Sequence, residues 1–205
     1  MDNQNSQSSA VLFQEAIDFL VKIFQIFKFP QIKICFNGGK DATVVLYLAK
    51  MALDKLQISR QIECIYFKEK EPFPEIIEFM EQQKKALNLQ ILECKGCVKE
   101  NLQNQEQLQA VIMGTRRSDP HGKTLNLISI TDNNYPSLLR INPILEWNYS
   151  QIWEFIRTFD IPYCSLYDQG YMCLGEVGKT QPNKNYKSGM KPWEFDPQHE
   201  RQNRE

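Results

Sequence analysis

Histidine is nearly missing from this sequence, with two among 205 residues. Catalysis built on a Ser-His-Asp arrangement is therefore not expected, and none of the motifs described below contains one. A basic excess is missing too: 24 Lys and Arg stand against 25 Asp and Glu, for a formal charge of −1. Bulk attraction to nucleic acid is excluded as the basis of function, and any grip on an anion has to be local. No apolar run approaches the roughly 18 residues that cross a bilayer. Residues 1–10 hold neither the basic stretch nor the cleavage site of a secretory signal, and they lack Arg but include Asp2, unlike a mitochondrial presequence. The expectation is a cytoplasmic protein with no membrane and no nucleic-acid partner. Paired cysteine motifs are scarce as well: of six cysteines, only Cys94-Lys95-Gly96-Cys97 has a motif spacing. A zinc site takes about four ligands and no second close pair exists, so this segment reads as a strand-to-helix turn.

What is there is alternation. With 42% hydrophobic residues the chain can bury one good core. Across residues 9–28, Phe13, Ile17, Leu20, Phe24 and Phe27 recur at steps of four and three, the stripe of an amphipathic helix. Phe29-Pro30 ends it. Ile32-Lys33-Ile34-Cys35-Phe36 then reads as a buried strand, followed by a glycine turn and a helix over 41–53. Strand 62–67, helix 74–87 with Pro74 at its first position, strand 89–93, helix 98–109 and strand 111–113 continue the pattern. Such interleaving predicts an α/β fold with a mostly parallel twisted sheet and helices on both faces. After Gly114 come a polar stretch over 115–136, a strand at 139–141, a helix over 150–159, and loops from 162 onward. No internal repeat or domain boundary is visible. The chain is expected to be one domain over 1–205, with a nucleotide-binding core at 32–114 and a loop-rich region at 115–205. Ligands of such sheets sit at the C-terminal strand ends, so the loops after Phe36, Phe67, Glu93 and Met113 are predicted to line one cleft.

The first of these loops carries the strongest signal. A glycine pair between a buried strand and a helix lets backbone N–H groups approach an anion at the positive helix end, and Lys40 adds a full charge. The Walker A template does not fit, because its first glycine falls on Ile34 and Asp41 occupies its Ser/Thr position. An acid directly after the Lys would repel phosphate unless a divalent metal lay between them. Asn37-Gly38-Gly39-Lys40-Asp41 instead resembles the S-G-G-x-D loop of the PP-loop ATP pyrophosphatases, with Asn37 in place of Ser. The bland reading is an ordinary glycine-rich turn. The resemblance implies cleavage of ATP between its α and β phosphates, with Phe36, Asn37, Gly38, Gly39, Lys40, Asp41 and Gly114 around the nucleotide and adenine near Tyr66 and Phe67.

Further motifs narrow the family. Ile112-Met113-Gly114-Thr115-Arg116-Arg117-Ser118-Asp119-Pro120, Ile141-Asn142-Pro143-Ile144-Leu145-Glu146-Trp147, Leu166-Tyr167-Asp168-Gln169-Gly170-Tyr171 and Thr180-x-Pro182-Asn183 follow the loop in order. Together they resemble eukaryotic-type FAD synthetase. Glu146 stands where that family commonly has Asp, Tyr135 where it has Trp, and the segment between Asp41 and Asp119 is short for it. The resemblance implies transfer of AMP from ATP to FMN, with Mg²⁺ as cofactor at Asp41 and Asn37. ATP and FMN are the implied partners, with transient delivery of FAD to apo-flavoproteins. Arg116 and Arg117 read either as fork-shaped phosphate donors at a strand end or as a solvated ion-pair cluster, with Asp119 orienting an Arg or accepting from ligand. The resemblance puts Asp132 and Tyr135 in the flavin pocket, where the alternative is a turn with a packed aromatic. Asp168 and Gly170 fall on the ligand side by the same likeness. Tyr167 and Tyr171 either stack on the flavin or pin a loop. Trp147 and Trp153 read as core.

Two Arg residues complete the expected catalytic set. Glu200-Arg201-Gln202-Asn203-Arg204 resembles the terminal E-R-x-x-R element of the family, and a spacing of three puts Arg201 and Arg204 on one side of a helical turn. By composition alone the segment is a frayed tail. As an active-site element it is expected to be mobile in the free enzyme and ordered with substrate. Of the other PP-loop candidates, a PAPS reductase needs a C-terminal cysteine, and none lies beyond Cys173, while a tRNA-thiolating ligase usually carries paired CxxC motifs or a basic surface, both missing here. A flavin-nucleotide binder without catalysis is the reading from another class, and the intact Lys40-Asp41 pair argues against it.

Overall fold

The computed structural model describes residues 8–201. Six strands form one sheet in the order β3-β2-β1-β4-β6-β5, with β1 at Ile32–Cys35, β2 at Ile62–Phe67, β3 at Leu89–Cys94, β4 at Ala110–Ile112, β5 at Ile128–Ile130 and β6 at Leu139–Ile141. Only β5 runs antiparallel, against β6. The central strands read as apolar runs because both faces are covered: Ile32, Ile34, Cys64, Ile65, Ala110 and Ile112 are all fully buried. Helices α1 (Ser9–Ile26), α2 (Lys40–Lys55), α3 (Pro74–Ala86), α4 (Val98–Gln103) and α5 (Tyr149–Thr158) connect or cover the strands. The stripe of α1 is borne out: Phe13 packs edge-on to Phe155 at 5.0 Å and lies 5.1 Å from Trp147. Helix α5 starts at a capping box in which Asn148 and Gln151 each bond the other's backbone N–H.

The strand order decides where a ligand goes. The chain leaves β1 for β2 on one side and returns to β4 on the other, so the crevice at the C-terminal ends of β1 and β4 is the topological switch point.

Two expected elements differ. Helix α4 stops at Gln103, well short of 109. The residues beyond it turn so that Leu108 joins an apolar cluster with Ile65, Val111 and Leu138, while the N–H groups of Gln109 and Ala110 donate to Gln31 O at 2.8 and 3.1 Å. That pairing starts β4. The stretch read as polar contains β5, whose Ile128 and Ile130 face outward, so backbone pairing with β6 holds the strand without a buried apolar face. Among the described residues no helix is long and apolar enough to cross a membrane.

Candidate active site

The phosphate loop is shaped by close approach. Gly38 adopts φ +75°, and a Cβ there would meet Ile76 Cγ2 at 3.1 Å. The Asn37 carboxamide oxygen accepts from the Gly39 N–H at 3.1 Å, tightening the turn, and α2 begins at Lys40. On the neighbouring strand end, a Cβ on Gly114 would lie 2.8 Å from the backbone carbon of Asp41 and 2.9 Å from the nitrogen of Ala42. Only glycine lets the loop after β4 lie on the first turn of α2.

Around that first turn the structure assembles a buried charge cluster. The Lys40 ammonium bonds Asp41 Oδ2 at 3.0 Å and Glu200 Oε1 at 2.5 Å. Arg116, fully buried, places Nε 2.9 Å from Asp41 Oδ1 and donates through Nη2 to Glu200 Oε1. Asp119 Oδ2 accepts from the Arg116 backbone N–H at 2.9 Å, while its Oδ1 accepts from Arg201 Nη2 at 2.5 Å. Each cation thus faces a carboxylate, as charge removed from water requires. Burial pushes the Asp41 carboxyl up, but Lys40 and Arg116 beside it outweigh burial and hold it below the usual carboxylate range. Burial likewise opposes the charge on Arg116, and Asp41, Glu200 and Asp119 more than restore it. The Tyr167 hydroxyl accepts from the Lys40 backbone N–H at 2.8 Å, and burial keeps this phenol protonated.

A cavity of about 310 Å³ opens over this cluster, walled by the phosphate loop with Lys40, Asp41, Tyr167, Asp119, Glu200 and Arg201. A second cavity of about 410 Å³, largely apolar, holds Val98, Leu102 and Val111 with Asp132, Tyr135 and Arg140. The two share Cys35, Phe67 and Met113 as walls. The expected single cleft is therefore two adjoining cavities, and the loop after β3 lines neither: only the start of α4 that follows it, Val98, reaches the second.

The predicted residues distribute unevenly. Phe36, Asn37, Gly39, Lys40, Asp41, Phe67, Gly114, Asp119 and Arg201 line the first cavity. Tyr66 does not: Ile65 and Phe67 face the cavity, and the period of two along β2 turns Tyr66 to the other side, against Ile77 and Met80. Asp132 and Tyr135 line the second cavity. Arg116 sits behind the cavity wall, not on it. Arg117 points away, donating to Glu146 and to the carbonyls of Gly122, Lys123 and Leu125 at 3.3, 3.0 and 2.7 Å. Asp168 accepts from Tyr163 and Lys191, each at 3.2 Å, Gly170 lies under the Tyr186 ring, and Tyr171 packs on Phe73. None of those three lines either cavity. Arg204 lies outside the described residues. Trp147 and Trp153 are buried core, as expected.

Sequence reasoning gives Arg140 no place in the site, and Glu200 one only as part of the terminal element, with no role of its own. Arg140 sits between Leu139 and Ile141 in β6, and its Nε is buried without a hydrogen-bond partner in the second cavity. A charge in the middle of an apolar strand was the available signal. For Glu200 no signal existed beyond its place in the terminal element. Cys35, shared by both cavities, has its thiol pushed up to about 12 by burial, so it offers no thiolate at neutral pH.

Residues 31–107 and 93–182 match the family model described as phosphoadenosine phosphosulfate reductase domain. The chain is 32% identical over 183 residues to a probable FAD synthase of Schizosaccharomyces pombe, spanning 84% of this chain and 69% of that protein. It is 37% identical over 172 residues to a probable FAD synthase of Caenorhabditis elegans, where the match spans 81% of this chain but only 33% of the longer nematode protein. A Candida glabrata FMN adenylyltransferase, solved with FMN and the ATP analogue AMPCPP, superposes with TM-score 0.77 at 27% identity, covering 100% of this chain and 78% of that one. The chain belongs to the phosphoadenosine phosphosulfate reductase domain family and, within it, to the group that holds the FAD synthases.

Proposed function

We propose that the protein is an FMN adenylyltransferase, joining AMP from ATP to the phosphate of FMN and releasing pyrophosphate. The observation that carries this reading is the pair of adjoining cavities: a charged one on the phosphate loop, and an apolar one separated from it only by Cys35, Phe67 and Met113. The triphosphate suits the first. The flavin ring suits the second, where Tyr135 offers an aromatic face and Asp132 and Arg140 offer an acceptor and a donor for the ring's polar edge.

The chemistry needs little beyond positioning. A phosphate monoester has a second pKa of about 6 and is already anionic at neutral pH, so the FMN phosphate attacks the α phosphorus in line without a general base. Lys40, Arg201 and the amides of the phosphate loop hold the departing pyrophosphate, and buried Arg116 keeps Asp41 and Glu200 in place behind them. The donor set fits a Mg²⁺ that arrives with the nucleotide. Asp41 and Asn37 stand on the same wall of the first cavity as hard oxygen donors, and an ion carried by the nucleotide would share them with their present partners, Arg116 Nε 2.9 Å from Asp41 Oδ1 and the Gly39 N–H on the Asn37 oxygen. Bound there, the ion would neutralise charge on the triphosphate. Delivery of FAD to apo-flavoproteins belongs to the same reading, after product release.

Flavin choice tests it. With ATP and Mg²⁺, FMN is expected to be converted to FAD while riboflavin, which lacks the attacking phosphate, stays unchanged on chromatography. Adenylylation of riboflavin, or turnover of adenylyl sulfate in place of FMN, would contradict the assignment.

A further inference from the structure

Glu200 stands at an unusual place. Its Oε1 receives the Lys40 ammonium at 2.5 Å and Nη2 of Arg116, so one carboxylate oxygen takes charged donors from two nearly inaccessible cations. Glu200 lines the first cavity, whereas Arg116 does not reach it. The carboxylate therefore stands between the Arg116 guanidinium and the cavity. Behind it Arg116 Nη1 is buried with no hydrogen-bond partner, a donor that nothing described uses. A phosphate oxygen between a Lys and an Arg would take the same two donors.

The backbone that carries Glu200 is held by few bonds of its own, with the Arg201–Asp119 ion pair at 2.5 Å following it. It follows a single 3-10 turn, Pro197–His199, capped by the Asp196 side chain accepting from Gln198 N at 2.9 Å. The Glu200 N–H reaches only Pro197 O at 3.2 Å, and the buried anchor Phe195 lies upstream of the turn. Moving Glu200 leaves Asp41 paired with both Lys40 and Arg116, so the two cations never lose all countercharge.

We propose that Glu200 is a specificity-determining residue of the phosphate site: its carboxylate holds the donors of Lys40 and Arg116 that a phosphate oxygen needs, and only a polyphosphate displaces it. A monophosphate exchanges one pair of ionic contacts for another and gains little. A triphosphate, with more charge and with contacts to the loop amides and Arg201 as well, gains much more. Glu200 thereby sets the threshold that separates triphosphate from monophosphate. The inference rests on the reading of the first cavity as a polyphosphate site.

Calorimetric titration of the full chain with inorganic triphosphate and with orthophosphate tests it, for wild type, Glu200→Gln and Glu200→Ala, each checked for native circular dichroism. Both variants are expected to bind triphosphate at least about tenfold more tightly than wild type and to gain orthophosphate binding that wild type lacks. In wild type, triphosphate is expected to speed hydrogen exchange at the His199 and Glu200 amides. Triphosphate binding that is unchanged or weaker in the variants, or exchange that does not respond, overturns the inference while leaving the phosphate loop reading intact. Triphosphate binding by none of the three proteins overturns both.

Discussion

Asp41→Asn is expected to lower FAD formation by more than about a hundredfold, since one carboxylate at a nucleotide-borne metal supplies several kcal/mol of transition-state stabilisation. The substitution keeps the shape of the side chain at the first turn of α2 and removes the charge that Lys40 and Arg116 face at 3.0 and 2.9 Å. Steady-state assay of the purified variant gives the answer, and near-normal turnover would take Asp41 out of the reaction. The same carboxylate has a pH signature. Lys40 and Arg116, outweighing burial, hold it below the ordinary value of 3.8. A depressed carboxyl contributes stability above its unfolded pKa and loses it as pH falls through the folded value. Its pairing therefore leaves the melting temperature unaffected between neutral pH and about pH 4, with the loss falling below that in wild type and missing from Asp41→Asn.

Arg116→Met is the substitution with the largest expected effect on stability. It removes a fully buried cation and leaves Asp41 and Glu200 with only Lys40 between them. Breaking a buried ionic network by removing one partner costs about 3–5 kcal/mol. For a domain of this size that is a fall in melting temperature on the order of 10 °C, readable by circular dichroism. The neighbouring Arg117→Ala serves as the internal contrast. Its ion pair with Glu146 is exposed and it faces neither cavity, so FAD formation is expected to stay within about twofold of wild type. A melting point for Arg116→Met that matches wild type would mean the network is not what holds the loops after β1 and β4 together.

The contrast between Arg116 and Arg117 also marks where sequence reading runs out. Both were legible as forks past a strand end, yet Arg116 turns inward while Arg117 opens the turn that follows and points outward, and nothing in Arg-Arg says which of the two is inward. The core of the fold was legible for a simple reason: parallel strands buried on both faces, such as β2 with Ile62, Cys64 and Ile65, are near-continuous apolar runs, and the glycine turn after β1 announces the helix that follows. Strand β5 was not, because pairing with β6 leaves Ile130 exposed and imposes no apolar alternation. Glu200 was hidden differently. A charged residue near a chain end looks the same whether it is solvated or packed, and only the return of the chain past Phe195 brings it to Lys40, 160 residues away. The resemblance puts adenine near Tyr66 and Phe67 alike, and the two-residue period of β2 separates them.

Incubating the chain with FMN, Mg²⁺ and ATP labelled separately in its α and γ phosphates, then resolving the products by chromatography, tests adenylyl transfer to FMN most directly. Equal amounts of FAD and pyrophosphate, with the α label in FAD and the γ label in pyrophosphate, are the predicted result. Label released as orthophosphate with ADP, or an α label that never enters a flavin, would contradict it.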